Sequence, residues 1–449
     1  MKWILAIIVL AHVVLGALYV SATPYRTGGK LVNQAGQQVP EIGAPDERQH
    51  ANYIQALLDG KGIPYLLVNV PNQAGVRNPA LEEDYEAHQP PLYYLAATGW
   101  AKIAGVDDVE SQGARSIRYL NLLFGALTVV GVYFFCIWGF RNPGLGVIAA
   151  AIAGLLPMNI ALSAAISNDP LLIAICTWSL AIYAKGMMKG WTVKLAILAG
   201  SLAGLGILTK TSALPLLLMH PLAIHLGPKQ DKAIRIWLTA ALSALLLAVP
   251  WWVRNVMVYE PQGYGMDFLA MNVFKDAFAD NTKGMEALIQ NFGPASYWID
   301  WVGWWTARSF FGVFGSMDIF LNPRGSAYDP NQTAYRIMLA FTVLLAIGWI
   351  LRSRQPEWQE SKKVQTVGIL FLLVTVLLFL RFNMIYFQGQ GRYLYPAIAV
   401  IASGLAAGAL YWLKDKWHVA LALLGGALLA LNLYIVLSLL PEEFARRIT

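Results

Sequence analysis

Long apolar segments constrain the fold of this chain more than any other feature. A helix needs about 20 apolar residues to cross a hydrocarbon core of about 30 Å, and hydrophobic residues make up 57% of the chain against 13% charged residues. The segments are continuous rather than short and alternating, which excludes a β-barrel. We predict an all-α, polytopic membrane protein with about eleven transmembrane helices, at 3–20, 116–138, 144–162, 170–184, 192–209, 211–226, 235–253, 335–351, 364–380, 394–413 and 418–440.

The basic residues predict how the chain is threaded through the membrane. They concentrate in alternate short loops between the spans, at 185–194, 229–235, 352–363 and 414–416. Short loops rich in Lys and Arg lie on the cytoplasmic side, so the net charge of +7 is a topology signal and not a sign of nucleic-acid binding. The N-terminus is then inside, and the outside holds the remaining loops, at 21–115, 163–169, 254–334 and 381–393.

We expect one transmembrane domain over residues 1–449, with two exoplasmic insertions at about 21–115 and 254–334. The segment 3–20 is interpreted as a retained anchor rather than a cleaved signal peptide. Apolar residues at helical spacing predict a helix that ends near Leu58, with Asp46 as its N-cap. A second helix is predicted from Leu92 to about Ala104, lying at the membrane interface with its aromatic side chains at headgroup level, namely Tyr93, Tyr94 and Trp100. The aromatic stretch 298–315 is expected to be an interfacial helix or a partial re-entrant segment.

Two adjacent carboxylates, Asp46 and Glu47, are the first candidates for chemistry. They fit an N-cap and a charge at the positive end of a helix. They also fit a general base that takes a proton from an acceptor hydroxyl or amine, because partial burial raises the pKa of a carboxylate. The sequence leaves open which of the two would be the base.

Glu86 and His88 form a second candidate pair in the same loop, just before the rigid Pro90–Pro91 unit. They suit ordinary surface positions, or a pair that orients a substrate or binds a divalent cation. His and carboxylate ligands favour zinc, whereas oxygen-only sites favour magnesium or calcium. With Asp46 they are the metal candidates, although the sequence does not establish that any cofactor is needed.

Five cations are predicted to fall on the face of the membrane where basic residues are disfavoured: Lys210, Arg254, Arg308, Arg381 and Arg392. Arg and Lys commonly bind phosphate, but they also pair with nearby carboxylates or reach to headgroups. The turn Asn168-Asp169-Pro170 is read as turn and helix-start chemistry in preference to a substrate contact.

Several motifs, all predicted to lie outside, resemble the GT-C fold of lipid-phosphate-sugar glycosyltransferases. That group includes protein O-mannosyltransferases and the lipid A aminoarabinose transferase. The motifs occur in family order: Pro45-Asp46-Glu47-Arg48-Gln49-His50 with Tyr53, His88-Gln89-Pro90-Pro91-Leu92-Tyr93-Tyr94, Leu208-Thr209-Lys210, Pro250-Trp251-Trp252-Val253-Arg254-Asn255 and Gln390-Gly391-Arg392-Tyr393-Leu394-Tyr395-Pro396. The segment that begins at Arg308 also resembles a stretch of bacterial members.

The resemblance implies an undecaprenyl- or dolichyl-phosphate sugar as donor and inversion at the anomeric centre. Asp46 matches the family's catalytic carboxylate, and Lys210, Arg254 and Arg392 match its phosphate-contacting positions. The remaining motif positions become candidate substrate contacts, namely His50, Tyr53, Glu86, His88, Tyr93, Arg308 and Tyr393. The resemblance leaves metal dependence open.

The sequence thus predicts a glycosyltransferase of the inner (plasma) membrane whose site faces the exterior. It would move a hexosyl or pentosyl group to an exoplasmic glycan, lipid or protein. One alternative is an oligosaccharide ligase or polymerase that uses a diphosphate-linked donor. A transporter is the other, although transporters carry ionisable residues at mid-membrane, where the predicted spans have almost none.

Overall fold

The computed structural model describes residues 1–27, 30–32, 36–39, 43–69, 78, 80–229, 232–321 and 332–448, without the side chains of 39 and 280–283. Parts of both predicted insertions lie outside the described residues. The first helix, α1 (Lys2–Ala22), packs into the bundle. The Tyr19 hydroxyl donates to Asn432 Oδ1 at 2.9 Å, and His12 Nδ1 lies 2.7 Å from the carbonyl oxygen of Gly154.

The first insertion contains short elements around two helices. In chain order these are β1 (Leu31–Val32), β2 (Gln38–Val39), α2 (Glu47–Leu58), α3 (Leu81–Asp84) and α4 (Leu92–Ile103). The strands β1 and β2 pair antiparallel, and 3₁₀ turns cover Tyr85–His88 and Gln112–Ile117. Both predicted helices of this insertion are confirmed as α2 and α4.

The first half of the bundle follows as α5 (Arg118–Phe140), α6 (Pro143–Leu155), α7 (Pro157–Ser163), α8 (Asp169–Lys189), α9 (Val193–Ile207), α10 (Pro215–His225) and α11 (Ala233–Tyr259). Helix α6 lies at the centre, because every residue from Gly144 to Leu155 is buried. Small residues let helices approach closely. A Cβ atom at Gly200 would lie 2.1 Å from the carbonyl oxygen of Ala240, so α9 and α11 meet backbone to backbone there.

The second insertion contains α12 (Met271–Ala277), α13 (Ala279–Ser296), α14 (Trp304–Phe311), β3 (Val313–Phe314) and β4 (Ile319–Phe320). A π-helical turn, Tyr297–Gly303, joins α13 to α14, and β3 and β4 form a tight hairpin. The bundle is completed by α15 (Thr333–Ser353), α16 (Lys362–Asn383), α17 (Ile398–Trp412), α18 (Trp417–Tyr434) and α19 (Leu440–Ile448), with a 3₁₀ turn at Gly391–Ala397 before α17. The aromatic stretch is helical only in part, and its depth in a membrane stays a prediction.

The predicted count of eleven spans is not confirmed. Among the described residues, eight helices are long and apolar enough to cross a membrane, and the pair α6–α7, bent by 62°, would make a ninth. The bend follows from Pro157, which holds Leu156 in an extended conformation. The predicted spans 192–209 and 211–226 are helices of only 15 and 11 residues, about 22 and 16 Å long.

The interfacial placement of α4 is wrong for two of its aromatic residues. Tyr93 and Tyr94 are fully buried in a core between α2 and α4. The ring of Tyr94 stacks on that of Tyr53, with 3.6 Å between the centroids. The apolar face of α4 therefore packs on protein, and this packing fixes α2 and the residue that precedes it.

The contacts between loops separate two ends of the bundle. Helix α5 begins at Arg118, which pairs with Glu47, and is followed by Arg141, which pairs with Glu360. At the latter end Arg352 binds Asp415 through two hydrogen bonds of 2.9 and 2.6 Å. Basic loops predicted to be cytoplasmic thus meet at one end, and the start of α2 lies at the other.

Candidate functional site

Asp46 has an unusual backbone conformation at the start of α2. Its φ is 65°, in the left-handed region, which is uncommon for residues other than glycine, although Asp tolerates it better than most. Asp46 occupies the N-cap position as predicted, but its side chain makes no capping hydrogen bond. The carboxylate instead accepts hydrogen bonds from the Tyr85 hydroxyl at Oδ1 and from Arg392 Nη2 at Oδ2.

Asp46 begins a chain of four alternating charges. Arg392 Nη2 lies 2.5 Å from Asp46 Oδ2, and Arg392 Nη1 lies 3.8 Å from Asp169 Oδ2. The other oxygen of Asp169 accepts a hydrogen bond of 2.6 Å from Lys210 Nζ. Lys210 and Arg392, distant in sequence, therefore converge as the sequence predicted, and the anion that they share in this structure is Asp169.

Breaks between helices position the members of this chain. Asp169 is the first residue of α8, and Lys210 is extended between α9 and the following 3₁₀ turn. The amide of Leu92 donates to the carbonyl of Leu208 at 2.9 Å, which joins α4 to that break. Arg392 follows Gly391, where a Cβ atom would lie 2.5 Å from the backbone of Phe310, so glycine is needed for this close approach.

Glu47 has a different environment from its neighbour. Arg118 donates to both of its oxygens, from Nε at 2.8 Å and from Nη2 at 2.6 Å, and the Ile166 amide donates at 2.8 Å. Both side chains of the pair are almost fully buried. Through these hydrogen bonds the Glu47 carboxylate joins α2 to α5 and to the loop before α8.

The electrostatics of Asp46 follow from Arg392. Burial alone would raise the pKa of Asp46, but the positive charge of Arg392, with the hydrogen bonds from Tyr85 and Arg392, outweighs it and lowers the pKa to about 2. The carboxylate is therefore ionised at neutral pH. Its side chain is 25% exposed, in contrast to that of Glu47.

Glu86 is buried and lies close enough to Asp46 for their charges to interact. Its Oε2 has no hydrogen-bond partner among the described residues, and His50 Nδ1 is 3.9 Å away. Burial, helped by the negative charge of Asp46, raises the pKa of Glu86 to about 8. Burial also lowers the pKa of His50 to about 3 and that of His88 to about 4, so both imidazoles are neutral at pH 7.

The three metal candidates do not form a ready-made metal site. No group of three His, Cys, Asp or Glu side chains that could hold a metal ion occurs in the part of the chain that the structure describes. His88 Nδ1 lies 2.7 Å from the Tyr85 carbonyl, and its ring packs on Phe274. Asp46 and Glu86 would need a third ligand from elsewhere. Among the described residues, no third ligand accompanies this pair.

A cavity of about 630 Å³ lies in front of Asp46. Its size is typical of small-molecule sites, which range over about 300–1,000 Å³. The start of α2, Glu82 and Tyr85 line one side. Trp305, the β3–β4 turn and the loop before Arg392 line the other side, with residues Ser316, Met317, Asp318, Phe387, Gln388, Gly389 and Gln390.

The remaining predicted residues lie at varied distances from this cavity. Arg392 and Lys210 lie 5.5 and 5.9 Å from the ring centroid of Tyr393, which places Tyr393 beside the charge chain. The Arg254 guanidinium donates to the carbonyls of Ile63 and Pro64 and lies over Trp251, and it has no described contact with the chain of charges. Arg308 lies over Trp305, 4.2 Å from the ring centroid, and so packs behind the cavity wall.

Two tyrosines predicted to contact the substrate, Tyr53 and Tyr93, make hydrogen bonds within the protein. The Tyr53 hydroxyl donates to the Gln89 carbonyl at 3.4 Å. The Tyr93 hydroxyl accepts from Asn121 Nδ2 at 3.2 Å. Both side chains are buried, and neither lines the described part of the cavity.

Three residues of the site were not predicted from the sequence: Tyr85, Arg118 and Asp169, which lies between Lys210 and Arg392. Asp169 had a usable signal, since it begins a span on the same predicted side as Lys210. Tyr85 and Arg118 had none, because their partners lie 39 and 71 residues away. Only the packing of α2 on α4 and α5 brings them together.

The helices and their arrangement define a polytopic membrane protein with a GT-C fold. The chain belongs to the family described as "Predicted membrane protein (DUF2142)", whose model matches residues 78–401. A comparison with curated proteins finds no match.

Solved structures supply the likeness to this fold. The apo oligosaccharyltransferase of Archaeoglobus fulgidus has a TM-score of 0.55 at 12% identity, over 100% of this chain and 56% of that one. The chain thus spans little more than half of that enzyme's length. ArnT from Cupriavidus metallidurans bound to undecaprenyl phosphate has a TM-score of 0.38 at 16% identity, over 94% of this chain and 77% of that one. The first likeness shows the fold alone, and the second is too weak to add to it.

Proposed function

We propose that this protein is a membrane glycosyltransferase that moves a sugar from a polyprenyl-phosphate donor to an exoplasmic acceptor. The observation that carries the proposal is the pairing of Asp46, which lines the cavity, with the buried Arg392, inside a GT-C fold. A carboxylate that faces a cavity can take a proton from the acceptor, and the buried cation that it contacts can bind the donor's phosphate.

The cations would bind the donor's phosphate. Lys210 and Arg392 lie side by side and are largely buried, and buried cations act more strongly on charge than exposed ones do. Arg392 Nε is buried and has no acceptor among the described contacts, which costs about 1–3 kcal/mol. A phosphate oxygen would supply that acceptor.

Asp46 would act on the acceptor. The acceptor oxygen bonds to the anomeric carbon while the bond from that carbon to the phosphate oxygen breaks. The bonding electrons leave with the phosphate, and the acceptor's proton goes to Asp46. A single displacement of this kind inverts the anomeric centre.

The charges in the site balance through this step. The phosphate goes from one negative charge to two, and Asp46 goes from one negative charge to none. Arg392, which contacts Asp46 and lies near Asp169, would stabilise the negative charge that develops on the phosphate. Glu47, held by Arg118, takes no part in this exchange.

The location of the site fits a lipid-borne donor. Each buried CH₂ of a polyprenyl chain is worth about 0.8 kcal/mol, so the donor stays in the bilayer and its phosphate is met at the surface. The loops rich in Lys and Arg meet at the opposite end of the bundle, which supports an exterior orientation under the positive-inside rule. The inner (plasma) membrane is the corresponding location.

Purified protein incubated with a panel of labelled polyprenyl-phosphate and polyprenyl-diphosphate sugars tests the proposal. Turnover is expected only with monophosphate donors. Use of diphosphate donors alone would favour a ligase or polymerase, and movement of a solute across vesicles without sugar transfer would favour a transporter.

A further inference from the structure

The cations of the charge chain are already neutralised by the protein. Lys210 binds Asp169, and Arg392 is shared between Asp46 and Asp169. Two positive charges therefore face two negative ones. An entering phosphate adds a third negative charge to two cations. It can meet the unpartnered Nε of Arg392, and it then competes with the two carboxylates for the cations.

Asp46 is the carboxylate that can give way. Asp169 is 7% exposed, is held by Lys210 and starts α8. Asp46 is 25% exposed, precedes α2 in a left-handed conformation and borders the cavity. If Arg392 turns away from it, Asp46 still accepts a hydrogen bond from Tyr85.

We infer that Asp46 is an internal anion that holds Arg392 until the donor's phosphate binds, and that the phosphate displaces it and so turns Asp46 into a base. This inference rests on the proposed function. Arg392 is the main force that lowers the pKa of Asp46 against the effect of burial. Once Arg392 has moved to the phosphate, burial favours a proton on Asp46.

The consequence is an ordered reaction. Without donor, Asp46 is a poor base, because its charge is stabilised by Arg392. With donor bound, it can accept the proton of an acceptor. Donor binding and acceptor activation are thereby coupled through one guanidinium group.

Binding of a non-reactive phosphodiester tests this coupling without any turnover. The probe is decaprenyl methyl phosphate, which carries the donor's single negative charge and no sugar, titrated into the full-length protein in detergent by calorimetry. Asp46→Asn should bind it at least about tenfold more tightly than the wild type, equivalent to about 1.4 kcal/mol, because a competing anion is gone. Asp46→Gly, which removes the carboxylate and suits a φ of 65°, should do the same.

Two controls isolate the effect. Glu82→Gln removes a carboxylate from the exposed rim of the same cavity and should change affinity by less than about twofold, because exposed charges are screened. Arg392→Gln should weaken binding, and in that background Asp46→Asn should no longer strengthen it. This double-mutant cycle assigns the gain to Arg392.

The outcomes separate the inference from the proposed function. Unchanged or weaker binding by both Asp46 variants, with melting temperatures near that of the wild type, overturns the inference. Binding by the wild type that is insensitive to both Arg392→Gln and Lys210→Gln overturns the donor site of the proposed function instead.

Discussion

Replacement of Glu47 by Gln should unfold the protein more readily rather than disable its chemistry directly. The Glu47 carboxylate accepts three hydrogen bonds, two from Arg118 and one from the Ile166 amide. Gln keeps the shape of the side chain but leaves one oxygen for these donors and turns an NH₂ group toward the guanidinium. Removing one partner of a buried ion pair costs about 3–5 kcal/mol, and we expect a loss of that size in the free energy of unfolding.

Unfolding by SDS in mixed micelles measures this loss. Glu83→Gln is the matched control, since Glu83 pairs with Arg48 at 2.7 Å but is 44% exposed. An exposed pair contributes less than about 1 kcal/mol. A structural role for Glu47 is ruled out if Glu47→Gln is as stable as the control but inactive while Asp46→Asn stays active. That result would make Glu47 the base.

Three further predictions concern the site's surroundings. Burial raises the pKa of Glu86 to about 8 from 4.5, so the folded state keeps a proton that the unfolded chain releases. As the pH rises from 4.5 to about 8, the free energy of unfolding should fall by up to about 1.4 kcal/mol per pH unit. Thermal melts of Glu86→Gln at several pH values should lack this dependence on pH; an unchanged dependence contradicts the raised pKa of Glu86. Gly391→Ala should lower the melting temperature because its Cβ atom meets the backbone of α14, whereas Gly426→Ala, with nothing within 4 Å, should not; equal melting temperatures contradict the packing. In cells, Glu82→Cys should react with an impermeant thiol reagent added outside and Lys189→Cys should not, because the first insertion is predicted to be outside and the basic loop inside. Both native cysteines are buried, so they should add little background; the reverse pattern overturns the orientation.

Apolar length and helical spacing predicted the bundle and the helices α2 and α4. They did not predict the number of crossings, because the breaks lie inside apolar runs. Pro157 bends one predicted span, and the extended backbone at Lys210 leaves two short helices where full spans were expected. Tyr93 and Tyr94 were placed at the membrane surface because aromatic residues favour it. They pack against α2 instead, and hydropathy does not reveal that contact.

The site was predictable as far as each residue carried its own signal. Lys210 and Arg392 stood out because they are predicted to lie on the face where cations are disfavoured. The difference between Asp46 and Glu47 carried no such signal. Adjacent residues at a helix start point in different directions. The sequence does not reveal that Arg118 on α5 binds the carboxylate of Glu47 and not that of Asp46. Arg254 shows the converse, since a motif match did not bring it into contact with the charge chain.

The rate of sugar transfer by Asp46→Asn tests whether Asp46 takes the acceptor's proton. General acid–base groups contribute about 10²- to 10⁴-fold to a rate, so we expect at least a hundredfold loss of transfer from the wild type's labelled polyprenyl-phosphate donor. Asn keeps the shape of the side chain, and the variant should still bind decaprenyl methyl phosphate and melt as a folded protein. Transfer at a rate close to that of the wild type would contradict the account, because it would show that Asp46 does not take the acceptor's proton.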